Sequence, residues 1–282
     1  MTTARTIPAG WELHTLPSGD TVAYHDPSHR YFRDVTDDGK GVGRLAGVTT
    51  VIAPMDWRPD GLMSWAARLT RDGVAALAAE GLGLDDPDEI RSALSWLRSG
   101  ETVDAALEDA RLRYTDAKDD AARRGSNVHL HALHALAEGR PVPAFDDLTV
   151  EEIGYAKGVA GWWLDEQPEV IASEFLVADL ELGVAGRPDL LCRLRDGRLA
   201  VVDAKTSGYV PAKFAVQLSA YAHLALISGY EAPEVGVILQ VAEDGSHRAI
   251  PVELDHEDFF AALDVYRRAG RINGALRKAA KA

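Results

Sequence analysis

The sequence has almost no cysteine. With Cys192 alone among 282 residues, no disulfide can close within the chain, and neither an iron–sulfur cluster nor a cysteine-rich zinc site can be built from one thiol. That usage fits a reducing, intracellular compartment, so a cytoplasmic protein is expected. Long apolar runs are also missing: none approaches the ~20 residues needed to span a bilayer, and no membrane partner is expected. Met1 to His14 is polar and broken by Pro8 and Gly10, unlike a signal peptide. No G-x-x-x-x-G-K-[ST] loop occurs, so no helicase motor is built in. Positive charge is scarce as well. Lys and Arg number 30 against 44 Asp and Glu, a net charge of −14, which argues against a protein coated in nucleic acid. The shortage is uneven. Glu80 to Asp120 carries twelve acids and five bases, read as a solvated helical face. Asp264 to Ala282 carries six bases (Arg267, Arg268, Arg271, Arg277, Lys278 and Lys281) against one acid, which keeps a local polyanion site open.

The length allows one large domain or two small ones and a sizeable core without covalent staples. Thr21–Tyr24 and Arg30–Val35 flank a turn at Asp26-Pro27-Ser28, a hairpin signal, and β-branched Thr49–Ile52 reads as a further short strand. From Asp60 to about Gly139 the apolar spacing is helical. Thr149 and Glu152 have capping-box spacing and start a helix to about Glu166, with Trp162 and Trp163 as core anchors. Val170–Val177, Val184–Leu194 (interrupted by Pro188) and Leu199–Lys205 read as strands, the last two joined by an Asp196-Gly197 turn. A helix over Pro211–Ser228, strands over Val235–Val241 and His247–Leu254, and a last helix from Asp255 complete an α/β layer. Gly270 and Gly274 weaken the end of that helix and make it a candidate mobile tail.

One strand carries charge where a core strand should not. Alternate residues share a face, so Leu199, Val201, Asp203 and Lys205 point one way: two apolar residues, then an acid and a base. Charges there are costly unless paired or used. Pro188 cannot donate to a ladder and marks a bend, and the Asp196-Gly197 hairpin folds Asp189 back towards Asp203. Two carboxylates brought together repel unless a proton or a cation lies between them. With a lysine alongside, an oxygen-liganded divalent ion such as magnesium is the economical answer. A cross-strand ion pair at a sheet edge is the bland alternative.

Pro188-Asp189 followed by Asp203-Ala204-Lys205 resembles the PD-(D/E)XK nuclease signature. Gln217 and Tyr221, four apart on one helical face, resemble its QxxxY helix. Arg124-Gly125 with His129 resembles the RGxxxH helix of the RecB-like, phage recombination exonuclease branch. Ser173-Glu174 lies ahead of the Asp189 strand, where many members carry an acid. The run Val48–Ile52 resembles the start of phage-encoded members.

The resemblance implies an α/β, restriction-endonuclease-like core over 121–258. An N-terminal β-hairpin and helical region would cover 1–120, and a C-terminal helix with a basic tail 259–282. It implies a Mg2+- or Mn2+-dependent DNA exonuclease that resects double-stranded ends for recombination or repair. His129, Asp189, Asp203 and the Ala204 carbonyl are the implied metal ligands. Lys205, Glu174, Gln217 and Tyr221 are the implied catalytic set. Implied partners are DNA ends, a single-strand annealing or recombination protein, and further copies of the chain. Arg123, Arg124, Arg187 and Lys213 are candidate phosphate contacts. His131, His134 and Cys192 are read as structural. A structure-specific or nicking endonuclease and a catalytically silent DNA-binding module remain open. A glycoside hydrolase would also pair carboxylates, but it has no use for the lysine or the QxxxY helix.

Overall fold

The computed structural model describes residues 7–55, 72, 114–140 and 148–281. The expected acidic helical region therefore lies largely outside the described residues. The chain divides into two compact units, Met1–Asp56 with Asn127–Ala282, and Trp57–Ser126. Of the second unit, residue 72 and the 114–126 part of helix α2 (Tyr114–Val128) are described.

The first unit is built on two sheets. One is five-stranded, in the order β11 (His247–Val252), β10 (Val235–Val241), β9 (Leu199–Lys205), β8 (Leu190–Arg193), β5 (Glu169–Ser173). β9 and β10 are parallel and the other neighbours antiparallel. Helix α4 (Lys213–Ile227) makes the β9–β10 crossover. β9 is buried on both faces, and its alternation serves two cores. Leu199 and Val201 pack with Leu218, Leu224 and Ile238 on the α4 side. Ala200, Val202 and Ala204 pack with Tyr155, Val159 and Trp162 of helix α3 (Val150–Glu166) on the other. Cys192 lies fully buried in that second core. The Thr149–Glu152 capping box is present and starts α3 where the sequence placed it.

The α3 side is glycine-dependent. A Cβ on Gly154 would lie 1.7 Å from the Glu243 carbonyl oxygen, and one on Gly158 2.8 Å from that of Ser246. Only bare backbone lets α3 approach the β10–β11 turn this closely.

The second sheet runs β1 (Trp11–Thr15), β2 (Thr21–His25), β3 (Arg30–Val35), β4 (Gly41–Gly47), β7 (Val184–Gly186), β6 (Val177–Asp179). The expected hairpin is thus part of a four-stranded meander, joined through β4 to β7 in parallel register. β7 ends immediately before Arg187-Pro188-Asp189, so the meander extends the sheet that leads into the candidate site.

Three local expectations differ. Val48–Val51 is a short helix, α1, rather than a strand. Val48, Val51 and Ile52 recur at helical spacing, and their burial against α4 overrides β-branching. The expected strand Val170–Val177 breaks at Glu174, which adopts φ +47°. The last helix, α5 (His256–Ala279), continues through Gly270 and Gly274. Asp255 caps its start, Arg277 and Lys278 lie in its last turn, Ala269 and Arg271 flank Gly270, and Ala275 follows Gly274. Among the described residues no helix is long and apolar enough to cross a membrane.

Candidate active site

The site forms where β9 runs out of core. Asp203 is almost fully buried and ion-paired with Lys205 one alternation later. The Lys205 ammonium also lies 4.7 Å from the centroid of the Phe214 ring, at the start of α4. One turn on, Gln217 Nε2 donates to Asp203 Oδ1 at 3.1 Å and to the Tyr221 hydroxyl at 3.0 Å. The four-residue spacing stacks these two side chains on one helix face. Gly186 makes room for them, since a Cβ there would meet the Tyr221 ring at 2.6 Å.

Asp189 lies between Pro188 and β8. Its Oδ2 accepts the Ala204 N–H at 2.8 Å, and its Oδ1 is 3.2 Å from His129 Nδ1. Its backbone carbonyl accepts the Glu174 N–H at 2.9 Å, which anchors the turn holding Glu174 at positive φ. A non-glycine residue there costs about 1–3 kcal/mol, and such strain collects at functional sites. His129 opens a π-helical stretch, His129–His134, at the end of α2; such widened turns also recur at functional sites. Its Nε2 lies 2.9 Å from the Ala204 carbonyl oxygen. His129 therefore touches Asp189 with one ring nitrogen and the backbone between Asp203 and Lys205 with the other.

The electrostatics follow from burial and proximity. Burial opposes charge on His129, but Asp189 outweighs it and raises the imidazole pKa to about 9. Burial likewise works against ionised Asp189, yet His129, Lys205 and the Ala204 N–H hold it below the ordinary carboxylate range. Glu174 is pushed up to about 7 by burial and by neighbouring Asp189. Burial raises Asp203 too, against the pull of Lys205. Lys205 resists burial because Asp203 and Asp189 face it, and its pKa is raised. Burial and Asp203 put the Tyr221 phenol well above its usual value, so it stays protonated.

His129, Glu174 and Asp189 each offer a ligand atom, and these atoms lie within 4.8 Å of one another. Two carboxylates and an imidazole suit a hard divalent ion such as Mg2+ or Mn2+. An imidazolium donating to both Asp189 and Ala204 supplies the positive charge that the acids require. A cation can replace that proton if the ring is neutral. Asp203 is instead held by Lys205 and Gln217.

All eight residues singled out from the sequence (His129, Glu174, Asp189, Asp203, Ala204, Lys205, Gln217 and Tyr221) meet here. His134 turns to Ser173 and Glu138, at 2.6 and 3.3 Å. Arg187 lies with its guanidinium 4.5 Å from the Tyr24 ring centroid and 3.1 Å from Glu12. Phe214, Tyr24 and Glu12 were not expected. Phe214 was legible as the residue one turn before Gln217. Tyr24 and Glu12 come from the meander, and no local pattern ties them to Arg187.

The profile of the PD-(D/E)XK nuclease superfamily matches residues 74–280. No curated protein sequence matches the chain. Among solved structures, the crystal structure of SSO0001 aligns with TM-score 0.29 and 18% identity, covering 39% of this chain and 54% of that one. This chain thus spans about half the length of SSO0001. An alkaline exonuclease from Laribacter hongkongensis (LHK-Exo), alone and in complex with dAMP, aligns with TM-score 0.34 and 13% identity, covering 55% of this chain and 85% of that one.

Proposed function

Because the chain belongs to the PD-(D/E)XK nuclease superfamily, we propose that it is a Mg2+- or Mn2+-dependent deoxyribonuclease, an exonuclease that resects double-stranded DNA ends. The observation that carries this reading is the buried Asp203–Lys205 pair set directly against the His129–Asp189–Glu174 cluster. A purely structural ion pair has no need of two further acids and an imidazole beside it.

His129, Asp189 and Glu174 would hold the ion, with Asp203 and the Ala204 carbonyl beside them. When bound, a divalent ion lowers the pKa of its water and neutralises charge on the phosphoryl oxygens. Lys205 places a fixed ammonium against the charge that develops on the phosphoryl group, in a site that excludes most water. Asp203 keeps that lysine charged and aimed. Gln217 fixes the rotation of the Asp203 carboxylate, and Tyr221 holds Gln217 by accepting its second N–H. Burial and Asp189 push the Glu174 pKa up in the metal-free site, and a bound cation would hold it ionised as a ligand. Strands exposed by such resection would be substrates for a single-strand annealing or recombination protein.

The test uses end-labelled linear duplex and covalently closed circular DNA, each with magnesium, manganese or chelator. The expected result is metal-dependent loss of the linear DNA with the circle spared. Cutting of the circle would make the protein an endonuclease, and no hydrolysis under any condition would refute the reading.

A further inference from the structure

The register of the five-stranded sheet extends the site in a direction the sequence motifs do not reach. Lys205 on β9 pairs with Gln240 on β10, and Gln240 pairs with Arg248 on β11. One rung below lie Asp203, Ile238 and Ile250, with Ile238 and Ile250 packed in the core on the α4 side. Side chains two apart on a strand share a face. Lys205, Gln240 and Arg248 therefore form a row on that same face, at the rung where the core gives way to solvent.

The row is hydrogen-bonded into place. Gln240 Nε2 donates to the Ser207 carbonyl at 2.8 Å. That fixes the amide orientation and leaves Oε1 to accept from an Arg248 terminal nitrogen at 2.9 Å. Arg248 is exposed, yet this glutamine aims it along the sheet end. Several described arginines, Arg140, Arg187, Arg193, Arg198 and Arg268, are each ion-paired with a carboxylate. Among the described residues no carboxylate forms an ion pair with Arg248. Its charge is held by a neutral amide and is not cancelled. A groove of about 380 Å³ at this end of the sheet is lined by Gln240 and Arg248 together with Ser207, Tyr155, Val241 and His247, so it reaches round the sheet end towards the α3 side and does not include Lys205.

We propose that Arg248 is a phosphate-binding subsite for the DNA strand being cut, holding a phosphodiester within about three nucleotides of the scissile one. This rests on the nuclease reading above. The distance follows from strand spacing: two steps of about 4.8 Å separate the Lys205 and Arg248 backbones, and a stacked strand carries one phosphate per about 3.4 Å of rise. A guanidinium suits a phosphodiester because its planar fork can donate two parallel N–H bonds. Arg248 thus sets the path of the strand, while Lys205 acts on the reacting group.

Three substitutions test it: Arg248→Ala, Arg248→Lys, and Arg198→Ala as a surface control at the other end of β9. Arg248→Ala should raise KM for an oligonucleotide about tenfold, as expected for loss of a charge-assisted hydrogen bond. It should also reduce the salt slope of DNA binding by about 0.7–0.9, equivalent to one phosphate. Arg248→Lys should restore the slope, and Arg198→Ala should match wild type. Bis(p-nitrophenyl) phosphate, which has no second phosphate to offer, is the companion substrate. A loss on it equal to that on the oligonucleotide would overturn the subsite. A wild type that cuts DNA while Arg248→Ala keeps its KM and slope overturns this inference alone. A wild type that neither binds nor cuts DNA overturns the nuclease reading with it.

Discussion

In the absence of metal, His129 should make the protein lose stability as pH rises above neutrality. The imidazole titrates near 6.5 when unfolded and near 9 when folded against Asp189. Between those values the folded state keeps a proton that the unfolded state has released, so stability falls with rising pH. The contribution is complete below pH 6.5 and gone above pH 9. A difference of about 2.5 units at 1.36 kcal/mol each gives roughly 3 kcal/mol. The imidazole retains 23% side-chain exposure, and solvent screening reduces the figure to about 2 kcal/mol. For a chain of this size that is a Tm change of about 4–8 °C. The assay is thermal unfolding in chelator between pH 6 and 9.5, with and without His129→Gln. A Glu174→Gln background removes the second group that titrates nearby, since Glu174 lies near 7. Magnesium should reverse the trend, because a ligating imidazole must be neutral and binding then releases a proton. Equal slopes above pH 7 with and without His129 would refute the reasoning.

Asp203→Asn and Asp189→Asn should each lower metal-dependent hydrolysis at least about 100-fold while the circular dichroism spectrum is retained; turnover near wild type would remove them from the site. Lys205→Ala should lose about 10²–10³ in kcat with little change in KM, because the ammonium acts on charge that develops during reaction; single-turnover kinetics would show the split. Gly154→Ala should destabilise the fold by about 3 kcal/mol or more, since its Cβ would strike the Glu243 carbonyl. By contrast Gly270→Ala, exposed on α5 with open space around it, should stabilise by up to about 1 kcal/mol in denaturant titration. Truncation after Tyr266 removes six bases and no acid, and should flatten the salt dependence of DNA binding; identical slopes would exclude α5 from the DNA path.

The elements that position the site were legible because local pattern and burial agree along them. β9 and β10 have the limits read from their β-branched runs, and α3 begins at its capping box. The order and chemistry of Asp189, Asp203, Lys205, Gln217 and Tyr221 could be seen because each pair lies on one strand, one hairpin or one helix face. What was hidden depends on long-range contact. α1 is helical because α4 buries it, and no tetrapeptide rule reveals that. The meander's attachment to β7, and with it Tyr24 and Glu12 beside Arg187, joins residues far apart in sequence. The His129 bridge to Ala204 arises from a π-helical stretch that has no sequence signature. The Lys205–Gln240–Arg248 row needed the strand register, which propensity does not supply.

Cys192 lies on the strand that follows Asp189, three residues on, with its thiol pKa pushed up to about 12 by burial and by the charge of Glu166. Thiolate is the reactive form, so in the closed molecule this sulfur is silent to alkylating reagents on two counts, access and ionisation. Once β8 separates from its neighbours, the thiol becomes an ordinary one with a pKa near 8.5. The rate at which a reagent captures it therefore reports how often the site-bearing strand opens, as amide exchange would, but at one defined position. The same silence means that a cysteine introduced elsewhere, for instance at exposed Ser207, would carry the only reactive label on the folded protein.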